Sequence, residues 1–193
     1  MPPIPAITKA FMLACVGFFC AFVLLPPGLS GWFQLWPLQS GNFLPWQVIT
    51  YAFLHGDVMH LFFNMLGLWM FGSELERVWG SKRYLHLLIA STLAAAGVQL
   101  LFTLLIGSYA PTVGASGALF GLLLSFGMLF PDRIIMPLFP PIPMKAKYFV
   151  ALFGGLELMM GLGGSTGIAH FAHLGGMLGA WLMMRYWRGS RRR

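Results

Sequence analysis

The sequence predicts an all-α polytopic membrane protein, six transmembrane helices in a single domain over residues 1–193, and two observations predict it. The first is composition: of 193 residues, 58% are hydrophobic and only 9% charged, against roughly 25% charged in soluble domains. The second is spacing. Apolar segments recur at close to the length that a helix needs to cross about 30 Å of hydrocarbon, separated by short polar breaks.

The first segment, 8–25, carries Lys9 ahead of an apolar core, as a signal peptide would. No small-residue cleavage site precedes Pro26-Pro27, so a retained helix is expected. Cys15 and Cys20 lie five residues apart in it, about 7.5 Å of helical rise, which is too far for a disulfide. A long loop, 26–57, follows. Its Trp32, Phe33, Trp36, Phe43 and Trp46, set among prolines and glycines, read as interfacial anchors. Segments 58–78 and 84–106 give the second and third helices, and 115–130 the fourth. That fourth helix is short, about 24 Å at 1.5 Å per residue, so its outer end begins below the membrane surface. Segments 147–162 and 168–187 complete the set.

Charge orients the bundle. The twelve Lys and Arg residues fall at Lys9, in the loops around Arg77, Lys82 and Arg83 and around Arg133, Lys145 and Lys147, and at Arg185, Arg188 and Arg191 to Arg193. The alternate loops, 26–57, 107–114 and 163–167, have none, which puts both termini in the cytoplasm. The net charge of +7 and pI near 9.9 therefore mark topology rather than a nucleic-acid partner, because no polar face collects the basic residues.

Polar side chains inside a bilayer are costly and mark sites by default. Here they are His60 and Asn64 in the second helix, Ser116 in the fourth, Glu157 in the fifth, and His170 and His173 in the sixth. Counted from the cytoplasmic edges, Asn64 lies about 20 Å up, Ser116 about 21 Å and His173 about 18 Å, so three helices bring polar groups to one level. Gly117 and Gly121 form a GxxxG face, and Gly176 with Ala180 a matching one; their contact would bring His173 towards Ser116. A serine needs a base within hydrogen-bond reach, and His173 is placed to be that base. His60 and Asn64, i and i+4 on one face, together with the Ser116 amide at a helix start, could stabilise an oxyanion. A metal site built from His55, His60, His170 and His173 is disfavoured: no HExxH occurs, and five-residue spacing turns His55 and His60 to different helix faces.

The segments "HGDVMHLFFNMLGLWMFG", "GASG" (Gly114 to Gly117) and "AHLGGMLGA", in this order, resemble the motifs of the rhomboid intramembrane serine proteases, and "ELERVWGSKRY" is similar to that family's Glu-xxx-Gly segment at Glu76 and Gly80. The resemblance implies a six-helix bundle that cleaves membrane-spanning segments of other proteins, with Ser116 as nucleophile and His173 as base, and with His60, Asn64 and the Ser116 amide holding the oxyanion. It implies a dyad, in keeping with the absence of an obvious acidic third member. Of the two histidines in "AHFAHLGG", only His173 has glycine three positions later, which leaves His170 a supporting or packing role; His55, Gly114, Gly117 and Gly176 are also supporting. Trp46-Gln47 stands where the family often has Trp-Arg, and Ala180 where it has glycine. Glu157 is expected to be a hydrogen-bonded structural carboxylate on a helix that resembles a lateral gate. No cofactor or metal is expected. The expected partners are membrane-protein substrates and the lipid bilayer of a bacterial-type inner membrane, with the site open to the outer side. The rivals are a silent rhomboid-like binder, which loss of Ser116 or His173 would mark, and a small transporter, which the lack of repeated halves argues against.

Overall fold

The computed structural model describes residues 3–26, 28–138, 141–163 and 169–190. Helix α1 (Ala6–Leu24) starts after Pro5 without a capping side chain, which would leave its first amides without partners. Glu76 supplies them from another helix: its carboxylate accepts from Ile7 N at 3.0 Å, from Thr8 N at 2.8 Å and from the Thr8 hydroxyl at 2.8 Å, and also from the Ser81 hydroxyl at 2.7 Å. A buried carboxylate at a helix N-terminus is favoured by the helix dipole, so the Glu-xxx-Gly segment docks the chain's first helix.

The loop after α1 is folded around the side chain of Gln47, which is fully buried in the short helix α2 (Gln47–Thr50). Its Oε1 accepts from Trp36 N and Leu44 N, and its Nε2 donates to the carbonyl oxygens of Trp32 and Asn42. One neutral amide thus serves four backbone groups across the loop. Trp32 and Trp46 remain exposed, as interfacial anchors would be. Leu35 pairs with Thr112, and Gln39 Nε2 donates to Thr103 O and Ser108 O, tying this loop to 107–114.

Helix α3 (Val58–Gly67) runs through a π-turn, Leu68–Gly72, into α4 (Ser73–Ile106). The expected helices 58–78 and 84–106 are thus two helices that meet at Gly80 with no loop between them. Gly80 has φ 76° and ψ 158° inside α4, a conformation that glycine alone adopts readily. There the chain doubles back, because the Tyr84 hydroxyl lies against Gly72, which a straight helix would hold about 18 Å away. The expected break at 79–83 falls on the reversal, which takes one non-helical residue rather than a loop.

Helix α5 (Ser116–Leu129) has 14 residues, about 21 Å of rise, shorter than a hydrocarbon core of about 30 Å. A two-stranded hairpin, β1 (Ile134–Ile135) and β2 (Met144–Lys145), then leads to α6 (Ala146–Gly163). Beside it, Lys147 and Lys145 reach Asp132 at 2.9 and 3.1 Å and hold that exposed carboxyl below its ordinary range. The last helix, α7 (His170–Ser190), is the centre of the bundle. Of the expected sixth helix, Ile168 lies outside the described residues, as does most of the expected loop 163–167.

Small residues set the packing around α7. A Cβ at Gly176 would fall on the Gly117 carbonyl, and one at Gly121 would stand 2.8 Å from Gly176 O, so α5 and α7 touch backbone to backbone. On its other side α7 presents Gly175 and Gly179, whose Cβ atoms would strike Ala94 O and Ala90 O of α4. Among the described residues, three runs are long and apolar enough to cross a membrane: Ala6–Leu24, Val58–Ile106 and Ala146–Gly163. Leu24, Leu105 and Leu162 are 85, 75 and 73% exposed, apolar surface of the kind that lipid covers.

Candidate active site

The run Thr112 to Gly117 turns from loop into helix, and Ser116 is the first residue of α5. Gly114 just before it has φ 123° and donates its N–H to Tyr51 O at 2.9 Å. A Cβ at Gly114 would sit 2.7 Å from His60 Cε1 and Nε2 and 3.6 Å from Ser116 Oγ. The absence of a side chain there lets the His60 imidazole approach the serine.

His173 projects from the first turn of α7, and its Nε2 is 2.8 Å from Ser116 Oγ. Phe120, one turn along α5 from Ser116, stacks on the imidazole with centroids 4.3 Å apart and planes 6° from parallel. His173 and His170, i and i+3 on one face of α7, are both buried, while Ser116, His60 and Glu157 are half-buried. Helix α6 lays Glu157 across both rings. Its Oε2 is 2.6 Å from His170 Nδ1 in a hydrogen bond and 2.8 Å from His173 Nδ1 at ion-pair distance, the latter off the line of the ring N–H.

Glu157, expected as a hydrogen-bonded carboxylate, makes such a bond to His170; that it also stands beside His173 was not legible, because it lies 16 residues from that histidine, on a different helix. The signal available was a lone carboxylate in an apolar segment, which needs a donor at its own depth. Phe120 was missed because one more phenylalanine in a membrane helix reads as lipid-facing, although its position four after Ser116 puts it on the same face.

Asn64 is buried, and its Nδ2 donates to His60 O at 2.8 Å, which leaves a second amide hydrogen for another acceptor. Asp57 caps α3, accepting from His60 N at 2.8 Å. His55 precedes that helix, so the two-faces argument does not apply to it; its ring meets the His60 ring edge-on, with centroids 5.1 Å apart. Burial, then the neighbouring His60, push the His55 pKa down to about 4, which keeps this ring neutral at physiological pH. Among the described residues, one trio could hold a metal ion: Glu157, His170 and His173 offer ligand atoms all within 4.8 Å of one another, a different set from the four histidines weighed on sequence. The same cluster borders a cavity of about 1120 Å³ that also reaches His60, Ser116 and Met160.

Comparison with known proteins adds a family. A family model described as a rhomboid domain matches residues 43–189. Rhomboid protein 1, mitochondrial, of Saccharomyces cerevisiae is 38% identical over 98 residues, which span 50% of this chain and 28% of that protein. The rhomboid protease GlpG of Yersinia pestis is 28% identical over 186 residues, 94% of this chain and 62% of that protein, and GlpG of Yersinia enterocolitica is 26% identical over 182 residues with the same coverage. The chain thus spans less than two thirds of the length of these relatives.

Proposed function

The chain belongs to the rhomboid family, and from that premise we propose that it is an intramembrane serine endopeptidase that cuts the membrane-spanning segments of other proteins with Ser116 and His173. The observation that carries the proposal is the 2.8 Å contact between His173 Nε2 and Ser116 Oγ, made where α5 and α7 touch through glycine.

Ser116 Oγ attacks the scissile carbonyl carbon as His173 Nε2 takes its proton. The oxyanion is held by the Ser116 N–H at the start of α5, by His60 and by the free amide hydrogen of Asn64. The C–N bond then breaks, and His173 hands its proton to the leaving amine. Water enters through the cavity and gives a proton to His173 as its oxygen attacks the acyl carbon; the C–O bond to Ser116 then breaks, His173 returns the proton to Ser116 Oγ, and the acid product leaves. A substrate helix must unwind to expose its peptide bond, so segments with small or helix-breaking residues are preferred.

We further propose six crossings, the doubled-back run Val58–Ile106 counting as two, in one domain over 1–193. Both termini are cytoplasmic and the site opens to the outer side of a bacterial-type inner membrane. Support comes from the way the basic loops meet: Arg133 pairs with Glu74 at 2.8 Å, Arg77 donates to Pro3 O, and Arg83 lies over Trp187. The loops without basic residues, tied by the Leu35–Thr112 bridge, collect with Gly114 and Ser116.

Reconstitution with a tagged single-span substrate tests the reading. Ser116→Ala and His173→Ala are each expected to lower cleavage about 10⁴-fold or more. Undiminished cleavage by either variant would sink the pair.

A further inference from the structure

The reaction above uses neither Glu157 nor the second nitrogen of His173. The carboxylate hangs from α6 over two buried imidazoles, 2.6 Å from His170 Nδ1 and 2.8 Å from His173 Nδ1. An ionised carboxylate has no proton to give, so the nitrogen that faces it must be the protonated one. For His173 this selects one tautomer: N–H at Nδ1, and at Nε2 a lone pair aimed at Ser116 Oγ. The opposite tautomer would point a lone pair at the carboxylate and a second hydrogen at the serine, leaving no base.

We propose that Glu157 is a positioning residue that completes a Ser116–His173–Glu157 triad, fixing the tautomer of His173 and stabilising its imidazolium, while His170 anchors the carboxylate. The proposal rests on the roles given to Ser116 and His173 above. When Ser116 attacks, its proton moves to His173 Nε2; Glu157 stays ionised and takes none, and the proton leaves again with the amine. The ring is already constrained on its other sides, by Phe120 stacked at 4.3 Å and by His170 edge-on at 6.4 Å, so the carboxylate need supply only the last restraint. The oblique Nδ1 contact is of the kind that straightens when substrate binds. Other titratable groups bordering the cavity are His60, across from His173, and Asp57, engaged as the cap of α3.

The test uses the full chain in liposomes with a single-span substrate, comparing wild type, Glu157→Gln, Glu157→Asp and Ser116→Ala, each checked for an unchanged thermal midpoint. Glu157→Gln is expected to lower kcat about 100-fold with KM unchanged, at the lower end of what acid–base catalysis contributes. Glu157→Asp, which keeps the carboxylate, is expected to restore part of the rate. In wild-type protein labelled with ¹⁵N-histidine, His173 carries its proton on Nδ1 at neutral pH, a readout that needs no variant to fold. Glu157→Gln active within a few-fold while Ser116→Ala is dead overturns this proposal and leaves the serine–histidine pair standing, whereas an active Ser116→Ala overturns both. A loss of rate that Glu157→Asp does not restore, a proton on Nε2, or activity that a chelator removes and zinc restores would each overturn the triad.

Discussion

Asn64 gives one amide hydrogen to His60 O and keeps the other, while Ser116 offers the first N–H of a helix whose dipole favours negative charge there. Donors fixed in advance act only on the charge that develops during reaction, so their removal falls on kcat rather than on binding. Asn64→Ala is therefore expected to lower kcat by about 10²–10³-fold with little change in KM, measured by initial rates over a substrate series; an unaltered kcat would remove Asn64 from the oxyanion site. The polar residues of this centre were legible in the sequence because a bilayer makes them conspicuous, and depth counting along three helices brought Ser116 and His173 to one level before their contact was seen. The partners of Glu157 and the place of Gln47 were not. Glu157 reaches from α6 to two rings on α7, and Gln47 is a neutral amide whose four backbone partners come from a loop with no periodicity to read.

At the scale of elements, the distance between α5 and α7 is set by glycine. Gly176 admits no Cβ because the Gly117 carbonyl occupies its place, so any larger residue forces the helices apart and separates His173 from Ser116. Gly176→Val is expected to destabilise the protein by about 1–3 kcal/mol, as overpacking does, and to lose activity beyond what the fall in stability explains. The control is Gly97→Ala, where a Cβ meets nothing within 4 Å and alanine is the better helix former. Thermal unfolding in detergent together with cleavage rates separates the two, and a Gly176→Val protein as stable and active as wild type would refute the packing argument. The GxxxG reading foresaw this contact. It did not foresee that α7 uses Gly175 and Gly179 against Ala94 and Ala90 as well, since one run of glycines gives no sign that it faces two partners. Hydropathy did separate 58–78 from 84–106, and the polar stretch between them holds Gly80, where the chain reverses.

Across the whole molecule, each end of the bundle has its own chemistry. Basic loops gather at one end with Glu76 holding the start of α1, and charge-poor loops gather at the other, where Gln47 organises the cover beside Ser116. A half-buried serine at the start of a short helix, open to a cavity and backed by an immobilised imidazole, is an arrangement that raises the reactivity of one hydroxyl among the many in the chain. The central claim is that Ser116 is that hydroxyl and His173 its base. Treating the purified, membrane-reconstituted protein with a serine-directed fluorophosphonate and locating the adduct by peptide mass spectrometry tests it directly. The account predicts a single adduct on Ser116, abolished by His173→Ala; an adduct on another residue, or equal labelling without His173, would contradict it.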